Sequence, residues 1–183
     1  LIQADSLHHI TRGDQSYLHL TGSVIFKKGP VYTYCKEAFH YRDEDHLILK
    51  DDVAIRDGDD MIRSELIHYY SEDYRMISPG KTVILYDDRY IEADRVSANL
   101  ATDDYDAWGN VFLRDSTLEI RTDSLRYRDD ERLAHLYTHS SVLDTAANIR
   151  FTGDRMFYHT DSLRLRITDN AAAVSLDSLD SAL

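Results

Sequence analysis

Hydrophobic and polar positions recur in an eight-residue pattern that appears six times: IQADSLHH from Ile2, YCKEAFHY from Tyr34, IRSELIHY from Ile62, IEADRVSA from Ile91, IRTDSLRY from Ile120 and FTGDRMFY from Phe151. The starts lie 28 to 32 residues apart. Position one is apolar or aromatic, position four is acidic (Asp5, Glu37, Glu65, Asp94, Asp123, Asp154) and position six is apolar (Leu7, Phe39, Ile67, Val96, Leu125, Met156). Position eight is usually tyrosine. A second pattern follows the first five copies: LHLTGSVIF, LILKDDVAI, ISPGKTVIL, YDAWGNVFL and LYTHSSVLD, each with a valine at its seventh place (Val24, Val53, Val83, Val111, Val142). From each valine to the next acid takes 11 to 13 residues. A single octamer would carry little weight, whereas an ordered series at constant spacing marks a repeat architecture.

Strict alternation in the second pattern, as in Leu47, Leu49, Val53 and Ile55, predicts a strand with one buried face. The first pattern changes phase: positions one and three share one parity, six and eight the other. A bulge or bend near the acidic fourth position would turn both sets inward. Turn-rich segments separate the patterns, at Asp43-Glu44-Asp45, Asp57-Gly58-Asp59, Asp87-Asp88, Asp103-Asp104 and Asp129-Asp130-Glu131. Short reversals imply antiparallel hairpins, because parallel coils need longer crossovers. The expected fold is all-β: a repeat-built antiparallel β-jellyroll of two facing sheets, about twelve strands from six two-strand repeats. Residues 1–169 form the domain, and 170–183, which lack the valine pattern, form a polar tail or the start of a further repeat. The alternative architecture is a β-solenoid that binds protein or carbohydrate on its surface, against which the few glycines weigh.

Composition narrows the function. The chain has 33 acidic residues against 21 Lys and Arg, a net charge of −12, which excludes broad electrostatic capture of nucleic acid or an anionic membrane surface. No apolar run approaches the roughly 20 residues of a membrane-spanning helix. Cys35 is the single cysteine, so no internal disulfide exists and pairing cannot report the compartment. The chain begins at Leu1 rather than Met, so any signal peptide is expected to be missing from this sequence.

Candidate chemistry is thin. Nine histidines include His8-His9 and the His135 and His139 pair, but four residues along a strand span about 13 Å, too far for direct chelation. His40 and His68 share a repeat column beside tyrosines. Asp57-Gly58-Asp59-Asp60 lacks the twelve-residue calcium loop, and an acid present in every repeat serves a bend rather than a reaction that needs it once. Cys35 has no base nearby and reads as packed. Trp108 reads as a surface or groove-edge residue. No phosphate-cradling glycine loop or nucleophile elbow occurs. The expectation is therefore no catalytic residues, no enzyme, no cofactor and no metal.

The ADSL, TDSLRY and SELIHY strands, the VYTYC segment and the GSVIF and WGNVFL strands, repeated at just under thirty residues, resemble the OstA-like, LptA-type lipopolysaccharide-transport periplasmic proteins over about Ile2 to Ile167. The resemblance implies a twisted open jellyroll, a periplasmic location, and an interior that receives the acyl chains of lipopolysaccharide on their way to the outer membrane. It implies as partners lipopolysaccharide and other β-jellyroll transport proteins, or further copies of this chain paired end to end by their strands. By repeat column, the implied lipid-facing wall is Leu7, Phe39, Ile67, Val96, Leu125 and Met156 with Val24, Val53, Val83, Val111 and Val142; read from the residues alone, the same positions make a closed, dry core. One departure is the acidity of the chain, since lipid A headgroups are commonly phosphorylated and Lys36 and Lys81 are among the few basic residues within the patterns. The alternative function is a non-lipid β-repeat scaffold or interaction module of the cell envelope.

Overall fold

A computed structural model describes residues 2–86, 89–162 and 164–176. The chain runs through β1 (Ile2–Gln3), β2 (Ser6–Arg12), β3 (Gln15–Lys28), β4 (Val31–Tyr41), β5 (His46–Asp57), β6 (Asp60–Tyr70), β7 (Arg75–Ser78) and β8 (Thr82–Tyr86). It continues through β9 (Arg89–Ala93), β10 (Arg95–Asn99), β11 (Asp104–Arg114), β12 (Leu118–Arg128), β13 (Leu133–Asp144), β14 (Ile149–His159), β15 (Arg164–Thr168) and β16 (Ala172–Ser175). All pairing is antiparallel and follows chain order within one continuous sheet, which overturns the solenoid alternative. None of the described segments is a helix long and apolar enough to cross a membrane.

The turns are those the sequence chemistry asks for. Gly13, Gly29 and Gly58 open two-residue hairpin loops at φ 60, 60 and 61°, the left-handed region that primed hairpin turns need and glycine supplies. At the opposite ends of the strands, four-residue loops close on Asp45, Tyr74, Asp103 and Arg132, all at positive φ. Their backbones bond to one another, with Ser71 N donating to Asp45 O at 2.8 Å and Leu100 N to Tyr74 O at 2.9 Å. The Asp87-Asp88 turn lies outside the described residues.

Every long strand shifts register at its middle, between Thr21 and Val24, Tyr34 and Glu37, Lys50 and Val53, Trp108 and Val111, Arg121 and Ser124, and Tyr137 and Ser140. The extra residues are left-handed in pairs: Asp51 and Asp52, Gly109 and Asn110, Thr138 and His139, Asp169 and Asn170. Opposite three of these pairs, and opposite the bulge at Gly22-Ser23, stands the recurring acid. Asp94 Oδ2 accepts a bond from Asn110 Nδ2 at 2.7 Å, and Asp5 Oδ2 accepts the Ser23 N–H at 3.0 Å. Asp123 Oδ2 lies 2.6 Å from His139 Nδ1, and Asn170 donates to Asp154. The fit is close enough to dictate glycine, since a Cβ on Gly22 or Gly109 would fall 2.2 Å from Asp5 Oδ2 or 2.6 Å from Asp94 Oδ2. The acid is a clamp on the bulge.

These bulges line up into a crease that folds the sheet over on itself. Twelve passes of chain cross it, with β1 and β2, β7 and β8, β9 and β10, and β15 and β16 each making one broken pass. Each pass contributes one segment to a layer holding β2, β7, β10 and β15, and another to a facing layer holding β1, β8, β9 and β16. The two facing sheets and twelve strands expected from the repeats are thus halves of a single folded sheet. The phase change in the first pattern is the crease seen in sequence: in β12 Ile120 and Thr122 before it, and Leu125 and Tyr127 after it, are all buried. The sixth repeat has its second strand as well, because Ala172–Ser175, within the segment expected as a polar tail or the start of a further repeat, pair with Ile149–Thr152 of β14. Residues 177–183 lie outside the described residues.

Candidate functional site

The recurring columns lie directly beside the crease, where the two layers are closest. Ile67, Val96, Leu125, Met156, Val24, Val53, Val111 and Val142 all have 2% or less of their surface exposed. They close into one packed seam with Leu20, Ala38, Leu49, Ala107 and Leu136. Three members of the expected wall are elsewhere. Phe39 is on the outer face, stacked on His19 at 4.5 Å with Lys50 Nζ 5.5 Å from its ring. In that pass the residue at the bend is Lys36 rather than Glu37, which slips the frame by one and gives the inner place to Ala38. Val83 faces out beside Arg63 and Glu92, because its bend uses three residues, Pro79 to Lys81, and Thr82 takes the inner place. Leu7 faces inward opposite Leu20, but stands on a strand that no further strand covers among the described residues and is 54% exposed.

A cavity of about 520 Å³ opens farther from the crease, in the middle of the chain, and none of the eleven column residues lines it. One wall is Ile55, Ile62, Ile84 and Ile91, supplied by the adjacent strands β5, β6, β8 and β9. The other is Met76, Ala98, Tyr105 and Tyr127 from β7, β10, β11 and β12. Its size falls in the range of about 300–1,000 Å³ typical of small-molecule sites. The mouth is polar, with Asp57, Asp60, Asp103, Asp104 and Asp129 against Arg89 and Arg132. Arg132 Nη1 is held by Asp129 at 2.6 Å. Arg89 shares the inward phase of Ile91 and Ala93 on β9, and its charge opposes the burial that pushes the Tyr105 and Tyr158 hydroxyls up. The sequence signal for this site is split between columns: Ile62 and Ile91 hold position one of the octamer, Ile55 lies two places beyond Val53, and Tyr127 holds position eight, where Tyr69 and Tyr158 also point in while Tyr41 points out through the one-residue slip of its pass.

Polar groups near the seam are satisfied internally. Ser78 Oγ sits 2.7 Å from Ser64 Oγ and accepts from Thr82 Oγ1 at 2.6 Å, and Thr122 Oγ1 lies 2.9 Å from Ser140 Oγ. His40 Nδ1 is the exception among the described residues, buried with no partner, and burial holds its imidazole below the ordinary range. His68 lies on the outer face with His46, their ring nitrogens 3.2 Å apart, so His40 and His68 do not share a column in space. Burial pushes the Cys35 thiol up to about 11. Trp108 lies on the outer face with the Arg95 guanidinium 5.3 Å from its ring. No group of three or more His, Cys, Asp or Glu among the described residues is arranged to hold a metal ion.

No family model matches the chain, and no curated protein matches it. Among solved structures it is similar to LptH from Pseudomonas aeruginosa, described as the LptA-homologous periplasmic component of the lipopolysaccharide transport device. The likeness covers 79% of this chain and 94% of that one, at 9% identity and a TM-score of 0.36. That is a distant likeness, and the assignment as an antiparallel all-β jellyroll rests on the strand pairing and the folded sheet themselves.

Proposed function

We propose that the protein is a periplasmic lipid-binding component of lipopolysaccharide transport to the outer membrane, which seats acyl chains between its two layers. The observation that carries this reading is the cavity: two aliphatic and aromatic walls, open at a polar mouth, in a sheet otherwise packed tight along its crease. Each methylene removed from water is worth about 0.8 kcal/mol. A dozen carbons therefore supply on the order of 10 kcal/mol before the costs of ordering and association. The layers join along one side only, so the mouth admits a chain without breaking a backbone ladder. The repeat resemblance supports lipopolysaccharide as the natural lipid.

The two ends of the sheet support the choice of partners. Among the described residues β2 pairs only with β3, and β15 and β16 pair only with β14, which leaves a strand edge at each end for another jellyroll or a second copy. The test is mass spectrometry of lipid carried through gentle purification from the native host, with displacement of an acyl-chain fluorophore by lipopolysaccharide. Co-purifying acyl lipid and saturable displacement are expected. Neither would leave the scaffold alternative standing.

A further inference from the structure

Arg89 is a cation placed between the layers with no carboxylate paired to it among the described residues. It lies on the inner face of β9, beside Ile91 in the cavity wall, and among the described residues no ion pair involves it. Asp115, which follows the Arg114–Tyr90 pair at the end of β11, spends Oδ1 on the Thr117 and Leu118 N–H groups at 2.8 Å each. The second arginine of the mouth, Arg132, is taken by Asp129. An unpaired guanidinium at an apolar surface is costly unless an anion meets it, and it makes charge-assisted bonds when one does.

The remaining charge at the mouth is acidic. Five aspartates against two arginines leave a negative rim, three of one sign in excess. Such a rim repels a headgroup of several negative charges while still allowing one anion to reach Arg89, the mouth arginine with no ion pair among the described residues. Volume points the same way, since about 520 Å³ suits one or two alkyl chains rather than a multi-chain lipid taken whole.

We propose that the cavity is a site for a single-chain amphiphile carrying one negative charge, a fatty-acid carboxylate in the simplest case, with its chain between the isoleucine and tyrosine walls and its anion on Arg89. This deepens the lipid-binding reading and rests on it. It also accounts for an acidic protein that handles lipid: the anion is met at one residue and the rest of the surface takes no part.

Titration calorimetry below the micelle concentration separates the two ideas. Dodecanoate, dodecyl phosphate and dodecyl maltoside would be measured against the wild type, Arg89→Gln and Arg89→Lys, with folding checked by thermal melting. Dodecanoate is expected to bind the wild type with an affinity that falls as salt is raised, to lose about tenfold in R89Q and to be largely restored in R89K. Dodecyl maltoside is expected to bind wild type and R89Q equally and without salt dependence, and the doubly charged phosphate to bind more weakly than the carboxylate. Maltoside binding with no effect of R89Q or salt on dodecanoate would overturn the role of Arg89 and leave the cavity as a lipid site. Failure of all three to bind the wild type would overturn the cavity itself. The salt dependence is read on the wild type, so the result stands even if R89Q does not fold.

Discussion

Two alanines on the same inner face distinguish a real cavity from a packed interior. Ala98 on β10 lies between Met76 and Tyr105 and lines the cavity, whereas Ala107 on β11 lies between Val96 and Leu125 in the seam and is fully buried. Full burial of a phenylalanine side chain is worth about 1.5–3 kcal/mol. A ring at position 98 would enter open space and be about half covered, so Ala98→Phe should stabilise the protein by about 1 kcal/mol. At position 107 there is no space, and Ala107→Phe should cost about 1–3 kcal/mol through overpacking. In a chain of this length 1 kcal/mol moves the melting temperature by about 2–4 °C. The two variants should therefore melt at least about 4 °C apart, on opposite sides of wild type, in a circular-dichroism thermal scan. The ring at 98 should also lower the affinity for an acyl-chain fluorophore while that at 107 leaves it near wild type in whatever fraction is folded. Equal destabilisation by both substitutions would refute the argument, because it would mean that the layers touch at Ala98.

Two further outcomes follow from the crease and from the buried imidazole. Gly109→Ala meets both a φ of 74° and the Asp94 carboxylate, so it should lose about 2 kcal/mol or more in urea denaturation, whereas Gly58→Ala, with open space around it, should lose only the backbone cost of about 1 kcal/mol; equal losses would mean that the acid does not clamp the bulge. Burial lowers the pKa of His40, His46, His68 and His135, so below the unfolded value of about 6.5 the unfolded chain binds more protons and stability is lost as pH falls. The melting temperature should drop between pH 7 and pH 5, with His139, raised by Asp123, acting in the opposite sense. His40→Leu should raise it at pH 7 and shrink the drop, and a drop of unchanged size would acquit His40.

The strands, their antiparallel pairing and the crease were legible because each follows from periodicity within one pass: alternation marks the strand, and the phase change around Asp123 marks the bend. The frame of individual passes was not. Lys36 and Glu37 are neighbours, and an acid at position four drew the frame onto Glu37, although the register Val24 to Cys35 and Thr21 to Glu37 puts Lys36 at the bend. Val83 was misplaced because Pro79-Gly80-Lys81 adds a residue to a bend that elsewhere takes two. The cavity was not legible either, since it is formed by residues that meet only across the layers, Ile55 and Ile62 on one side and Tyr105 and Tyr127 on the other.

The position of the cavity has a cause in the same residues. In the two middle passes, broken into β7 to β10, the inner places beside the crease carry Ser78, Thr82, Ala93 and Val96, and those beyond it Met76, Ile84, Ile91 and Ala98. The passes on either side carry Ser64 and Ile67 in β6 and Ala107 and Val111 in β11, and the next ones Leu49 and Val53 in β5 and Leu125 and Tyr127 in β12. Met76, Ile84, Ile91 and Ala98 line the cavity, so the open volume lies beyond the crease, where Ala98 is the smallest inner residue, while the hydroxyl contacts among Ser64, Ser78 and Thr82 keep the fold line itself closed and satisfied. A search for constant columns finds the seam, because the seam is what every repeat must build. The site is where the repeat departs from itself, and it is in these two passes that Arg89 also appears.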